Sequence, residues 1–311
     1  MKRHVIILLG IAVSLFLCRS AAAQEVVVDP THIGVAFDHG KTFRDEAFPA
    51  YKAQREATPE DIRASVPIIK DIITAMHIPV LQVDGFEADD VIGTLATKAG
   101  ATGIKTYMLT PDKDYGQLVT ENVFIYRPRH GGGYDIIGAG QIEEKYGIKS
   151  PAQVRDLLAL MGDKADNFPG CPGVGEKTAV KLINDFGSVE ELISRSAEVK
   201  GKLREKIEAA ADDIRMSKFL ATIRTDVPLE INLDSLRLVE PDKEKLSSLF
   251  AELEFKTLAD KFLNKGEKKQ KSPNAQLSLF EEYTPDGQDL FENSTLEDIK
   301  THSHDYQLVD T

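Results

Sequence analysis

Eight carboxylates fall into four tight groups along the chain: Asp38; Glu87, Asp89 and Asp90; Asp112 and Asp114; Asp163 and Asp166. Glu87 and Asp90 are three residues apart, as are Asp163 and Asp166, so each pair shares a face if a helix runs through it. Asp112 and Asp114 are two apart and share a face in an extended turn. Converging so many like charges raises carboxylate pKa values and costs stability unless cations are present. Oxygen-only ligation with retained water suits Mg2+ or Mn2+, and two such ions about 4 Å apart can clamp a phosphodiester for in-line attack by water. Taken singly, an acidic residue is more often a helix cap or a solvated face. Asp45, Glu46, Glu143 and Glu144 are assigned to that ordinary role.

A second motif is rich in glycine. Asn167–Thr178 (NFPGCPGVGEKT) reads as a helix–hairpin–helix. Gly173 and Gly175 allow a tight turn, and Glu176 starts a helix whose first N–H groups can approach a phosphate. Lys177 adds charge and Thr178 a hydroxyl. Such a turn reads the duplex backbone and not base identity. The spacing does not fit a Walker phosphate loop, and the bland alternative is an ordinary packing turn between helices.

These groups need elements to hold them. Ile33 to Phe37, Val80 to Val83, Ile104 to Leu109 and Val123 to Tyr126 read as strands, with helices from Pro59 to about Met76, over Glu87–Lys98 and from Ser150 to about Met161. The acidic groups lie where strands would end, which is where open α/β sheets place their sites. This predicts an α/β fold with a mostly parallel sheet and helices on both faces, followed by a helical subdomain. In that second part helices are expected over about Glu176–Phe186, Val189–Arg195 and Lys202–Ile223. The predicted organisation is a leader (1–29), the α/β core (30–167), the helical subdomain (168–262) and an acidic linker and tail (263–311).

Composition bounds the remaining possibilities. A net charge of −12 is unusual for a nucleic-acid binder, but Glu281 to Thr311 holds nine acids and one base, so −8 of it lies in the tail. With no Trp and 7% aromatic residues, base stacking is not expected to dominate binding. Two cysteines, Cys18 and Cys171, exclude a disulfide framework. Met1–His4 followed by the apolar run Val5–Cys18 and Ala21–Gln24 has the pattern of a signal peptide. The run has fourteen residues, too few to span a bilayer comfortably, so no stable membrane partner is expected. The alternative is that Val5–Leu9 forms a first strand.

Taken together, Phe37–Arg44 (FDHGKTFR), Glu87–Asp90 (EADD), Asp112–Asp114 (DKD), Leu160–Asn167 (LMGDKADN) and Gly173–Ala179 (GVGEKTA) resemble the 5′ nuclease superfamily. Its members include the 5′→3′ exonuclease region of bacterial DNA polymerase I and the flap endonucleases. The resemblance covers about Pro30 to Phe262. It implies a PIN-like nuclease core with a helix–hairpin–helix of the H3TH type, acting on DNA with 5′ ends, flaps or nicks. It implies that Asp38, Glu87, Asp89, Asp90, Asp112, Asp114, Asp163 and Asp166 bind two divalent ions. By the same resemblance Lys52 and Arg55 grip the 5′ strand and scissile phosphate. Arg44, Gly173, Gly175, Lys177 and Thr178 contact DNA, with a K+ ion at the hairpin.

Two departures stand out. The family's first strand, which carries a metal-binding Asp, has no counterpart unless Val5–Leu9 supplies it, and then Gly10 takes the Asp position. The loop after Asp38 is also one residue short. A catalytically impaired DNA-binding fragment is therefore the main rival reading. An exported nuclease follows if the leader is genuine, whereas the family implies the cytoplasm. A PIN-type ribonuclease is disfavoured by the Gly173–Thr178 hairpin. Finally, Gln276–Phe280 (QLSLF) in the polar tail resembles the peptides that dock on bacterial sliding clamps.

Overall fold

The computed structural model describes residues 5–10, 28–129 and 132–263, the first span by its backbone course alone. The clamp-like Gln276–Phe280, the acidic tail and most of the signal-like leader lie outside these residues.

Six strands form one sheet: β1 (Val5–Gly10), β2 (His32–Ala36), β3 (Val80–Leu81), β4 (Lys105–Leu109), β5 (Val123–Pro128) and β6 (Tyr134–Ile137). Their spatial order is β3-β2-β1-β4-β5-β6. All neighbours run parallel except the β5–β6 hairpin. The expected parallel sheet is therefore present, with one antiparallel edge strand that the sequence pattern had not marked.

Among the described residues eleven α-helices run between and after the strands. Those of the α/β part are α1 (Phe43–Ala47), α2 (Glu60–Ala75), α3 (Ala88–Ala101), α4 (Ala139–Tyr146) and α5 (Val154–Met161). The helical part has α6 (Glu176–Phe186), α7 (Val189–Ser194), α8 (Lys202–Ala209), α9 (Ala211–Ala221), α10 (Lys243–Glu252) and α11 (Lys256–Leu263). No described helix is long and apolar enough to cross a membrane.

Residue alternation along β2 shows how the sheet is covered. Val35 and Phe37 pack with Ile73 and Ile69 of α2, whereas Ala36 between them joins Val91, Leu95 and Ala99 of α3. Successive strand residues face opposite sides, so α2 and α3 lie on opposite faces. The same cluster that contains α3 continues through Leu157 and Leu160 of α5 to Ile183, Leu192 and Ile214 of the helical part.

Three expectations need correction. The segment Val5–Gly10 is a strand at the middle of the sheet, paired with β2 (Gly10 opposite Ala36) and with β4 (Leu9 opposite Leu109). The sheet thus has a strand ahead of Asp38 where the sequence reading places a leader. An unbroken apolar run suits a strand buried on both faces of a parallel sheet as well as it suits a signal peptide, which is why composition alone could not separate the two.

Next, α5 stops at Met161, and Asp163 and Asp166 are not on a helical turn. Gly162, at φ 70° and ψ 174°, turns the chain out of the helix, in a region of backbone space essentially reserved for glycine. Asp163 and Phe168 then exchange backbone hydrogen bonds of 3.1 Å and close a short loop. Last, the single helix expected over Lys202–Ile223 is broken at Ala210. Ala209–Ala211 carries no local breaker, and the bend lets Ile207, Ala210 and Ile214 all reach the core.

Candidate active site

In the sheet order the topology switches between β1 and β4, and ligand crevices in open α/β folds lie at the carboxyl ends of strands flanking such a switch. Asp38 follows β2 there, and Thr110–Asp114 follows β4. Glu87 precedes the first turn of α3, which holds Asp89 and Asp90. The loop after α5 brings Asp163 and Asp166 to the same end: the Lys113 Nζ lies 2.9 Å from Asp163 Oδ2, and the Tyr51 hydroxyl is 3.3 Å from both Glu87 Oε2 and Asp166 Oδ2.

Seven of the eight carboxylates are linked electrostatically in this way. Asp89 is pushed up to about 7, mainly by burial, with Asp112, Glu87 and Asp38 adding to the rise and the Tyr115 hydroxyl, 2.6 Å away, opposing it. Asp114 is pushed up to about 8, again mainly by burial, with Asp112, Asp163 and Asp166 contributing. Its Oδ1 is buried without a hydrogen-bond partner. Burial would raise Asp163 too, but Lys113 and the Ala165 N–H hold it below the usual range. Asp38 Oδ1 accepts the Ala88 N–H at 2.8 Å, and Asp112 Oδ1 accepts that of Asp114 at 2.8 Å.

Cations already partner several of these acids. Lys52 Nζ is 2.5 Å from Glu87 Oε1, and Arg55 Nη2 is 2.5 Å from Asp166 Oδ1. Among the described residues no three acidic, His or Cys side chains stand as a ready-made ligand set. Buried carboxylates that repel one another and an orphaned carboxylate oxygen nevertheless fit the oxygen chemistry of a hard divalent cation, which neutralises such charge.

Asp90 and Arg44 require a different role from the one expected. Asp90 is fully buried and Arg44 is 2% exposed. They form a two-pronged pair, Nη1–Oδ2 at 2.7 Å and Nη2–Oδ1 at 2.8 Å. Arg44 also donates to the carbonyls of Leu220 and Thr222, and Asp90 accepts the Arg224 N–H at 2.8 Å. With its guanidinium enclosed, Arg44 does not present it to a DNA backbone. Asp90 has both oxygens committed to this pair, and Arg44 Nη1 also donates to Glu87 Oε2 at 3.1 Å. Both tie the α/β part to the end of α9 and the segment after it.

Sequence reasoning missed Tyr51, Lys113 and Tyr115. Each adjoins a residue that was singled out, but a tyrosine or lysine beside an acid is too common to serve as a signal.

The hairpin forms as expected. Gly173 has φ 79°, and Gly175 precedes α6 with no side chain capping the helix start. Lys177 is exposed and Thr178 half-buried.

Residues 11–147 match the family model of the 5′-3′ exonuclease N-terminal resolvase-like domain, and residues 149–244 match that of its C-terminal SAM fold. The DNA polymerase I of Bacillus caldotenax is 40% identical over 246 residues, covering 78% of this chain and 28% of that protein. The Bacillus subtilis enzyme is 42% identical over 235 residues, covering 75% and 27%. The chain therefore spans under a third of the length of these curated relatives. A bacteriophage T5 flap endonuclease, solved as a pseudo-enzyme–product complex with DNA and metal ions, superposes with a TM-score of 0.53 at 22% identity, covering 71% of this chain and 85% of its own. At that identity the likeness shows the fold.

Proposed function

Because the chain belongs to the 5′-3′ exonuclease family, as its two matched domain models show, we propose that it hydrolyses phosphodiesters at 5′ ends, flaps and nicks of DNA, as in primer removal and repair. The observation that carries this reading is the cleft of seven linked carboxylates, with Asp89 and Asp114 raised to about 7 and about 8 and one Asp114 oxygen unpartnered. Asp38, Glu87, Asp89, Asp112, Asp114, Asp163 and Asp166 would hold Mg2+ or Mn2+ as two ions. When bound, such ions polarise the phosphoryl group and supply an activated water.

The chain's own residues do the rest. Lys52 and Arg55, paired here with Glu87 and Asp166, would serve the scissile phosphate and its developing charge. Tyr51 holds Glu87 and Asp166 in register through its hydroxyl. The Gly173–Thr178 turn and Lys177 grip the duplex backbone, and a K+ ion at that turn is part of the proposal. A cytoplasmic location is proposed with it, as is tethering to a sliding clamp through Gln276–Phe280.

One observation favours the rival reading of a DNA-binding fragment with impaired catalysis. The central strand ends in Gly10, level with Ala36, and so brings no carboxylate to the middle of the cleft. A single experiment separates the two. Purified protein with Mg2+ should cut a 5′-flap duplex, and Asp112→Ala or Asp163→Ala should abolish cutting without loss of fold. Cutting that persists in EDTA would defeat the metal mechanism. Flap binding without cutting in the unaltered chain would favour the impaired fragment. Running the assay in Na+ in place of K+ tests the monovalent site, which predicts weaker duplex binding in Na+.

A further inference from the structure

Most acids of the cleft are steadied by a donor, and the donors differ in charge. Glu87, Asp163 and Asp166 are each paired with a lysine or arginine. Asp38 and Asp112 accept backbone N–H groups. Asp89 has neither. Among the described residues, the one hydrogen bond to its carboxylate comes from the Tyr115 hydroxyl, which donates to Oδ1 at 2.6 Å.

Tyr115 belongs to a different acid group. It lies in the 3-10 turn Lys113–Leu118, directly after Asp114, whereas Asp89 is in the first turn of α3. The bond therefore joins two of the four carboxylate groups. The Tyr115 side chain is 1% exposed and packs in the main core, and a buried phenol O–H requires an acceptor. Gln117 of the same turn donates to the carbonyls of Asp114 and Ala221, at 3.0 and 2.9 Å, and its Oε1 accepts the Ile223 N–H at 3.0 Å. The turn that carries the phenol is thus fastened to the end of α9 and the segment after it.

Charge explains what a phenol offers here. A lysine or arginine beside a carboxylate repels an arriving divalent cation. A neutral hydroxyl orients the carboxylate through one oxygen and adds no such repulsion. Oδ2 of Asp89 accepts no hydrogen bond from a described residue. We infer that Tyr115 is a positioning residue of the cleft, its hydroxyl holding Asp89 by one oxygen and leaving the other open to a divalent cation. The inference rests on the proposed function above and adds the group that orients one of its carboxylates. Outer partners of this kind commonly tune the affinity of a metal-binding carboxylate.

The test measures Mn2+ binding to the full chain by isothermal titration calorimetry, with thermal melting in EDTA to report folding. Tyr115→Phe keeps the ring and removes the hydroxyl, and Mn2+ affinity should fall about tenfold. Tyr115→Met, a second apolar replacement without an O–H, should match it. In an Asp89→Ala background, where Tyr115 has no carboxylate to hold, Tyr115→Phe should weaken Mn2+ binding no further. If Tyr115→Phe melts lower in EDTA but binds Mn2+ as tightly as the unaltered chain, the hydroxyl serves packing alone. The inference is then overturned while the proposed function stands. A further loss of the same size in the Asp89→Ala background would overturn it too. Failure of the unaltered chain to bind Mn2+ would remove both.

Discussion

Asp89 and Asp114 set the character of the site at the scale of single residues. Both are buried beside other acids and hold their protons to about 7 and about 8, against an unfolded value near 4. Between those limits the folded state binds more protons than the unfolded chain, so stability must fall as pH rises through the interval. The acids lowered by their partners, such as Asp163 and Glu190, titrate below it. In EDTA the melting temperature should therefore be higher at about pH 5.5 than at about pH 8.5. Millimolar Mg2+ should shrink that difference, because it favours the ionised carboxylates. A melting temperature in EDTA that is flat or rises over this range would contradict the linkage. Lys52, Arg55 and Lys113 are the same story seen from the cations: each offsets an acid that a metal ion would otherwise satisfy.

Between elements, the buried Arg44–Asp90 pair joins α1 to the start of α3 and reaches the carbonyls of Leu220, in the last turn of α9, and Thr222, just after it. Removing one partner of a buried pair leaves an uncompensated charge and costs about 3–5 kcal/mol. Arg44→Met should lose about that much in urea unfolding. Arg44→Lys should recover little, since an ammonium cannot make the two-pronged contact and reach both carbonyls. A stability loss under about 1 kcal/mol together with lost duplex binding would return Arg44 to the DNA surface. The loop after α5 shows a similar economy of parts. A Cβ on Gly162 would lie 2.7 Å from the Phe168 carbonyl oxygen, and one on Gly170 2.3 Å from the Gly162 nitrogen. Backbone packed on backbone is what presents Asp163 and Asp166 to the cleft.

For the whole molecule, charge is distributed by region. The −8 of the last thirty-one residues accounts for most of the net −12, leaving a nearly balanced body. The tail also carries Gln276–Phe280, whose Leu277, Leu279 and Phe280 are unusual for a polar segment. If this peptide docks on a sliding clamp, tethering raises the effective concentration of the chain at clamp-loaded DNA without altering its cleft. A pull-down with a bacterial sliding clamp should capture the full chain, and Leu279→Ala/Phe280→Ala should lose that capture. Equal capture of both, or of neither, would reject docking.

The sequence alone was enough to determine the residue types of the site, their order along the chain and the elements nearest to them. The run before Asp38, the helix after Glu87, the DKD turn and the glycine hairpin are all written in spacings of a few residues. Such spacings report backbone period and turn chemistry directly. Tertiary structure decided which side chain meets which. Arg44 and Asp90 look like the other candidate residues in sequence, yet their partners come from distant segments and bury them. Val5–Gly10 has the composition of a leader, and only its place between β2 and β4 makes it a strand. Partner choice, burial and charge compensation are set by three-dimensional packing, which local periodicity does not encode.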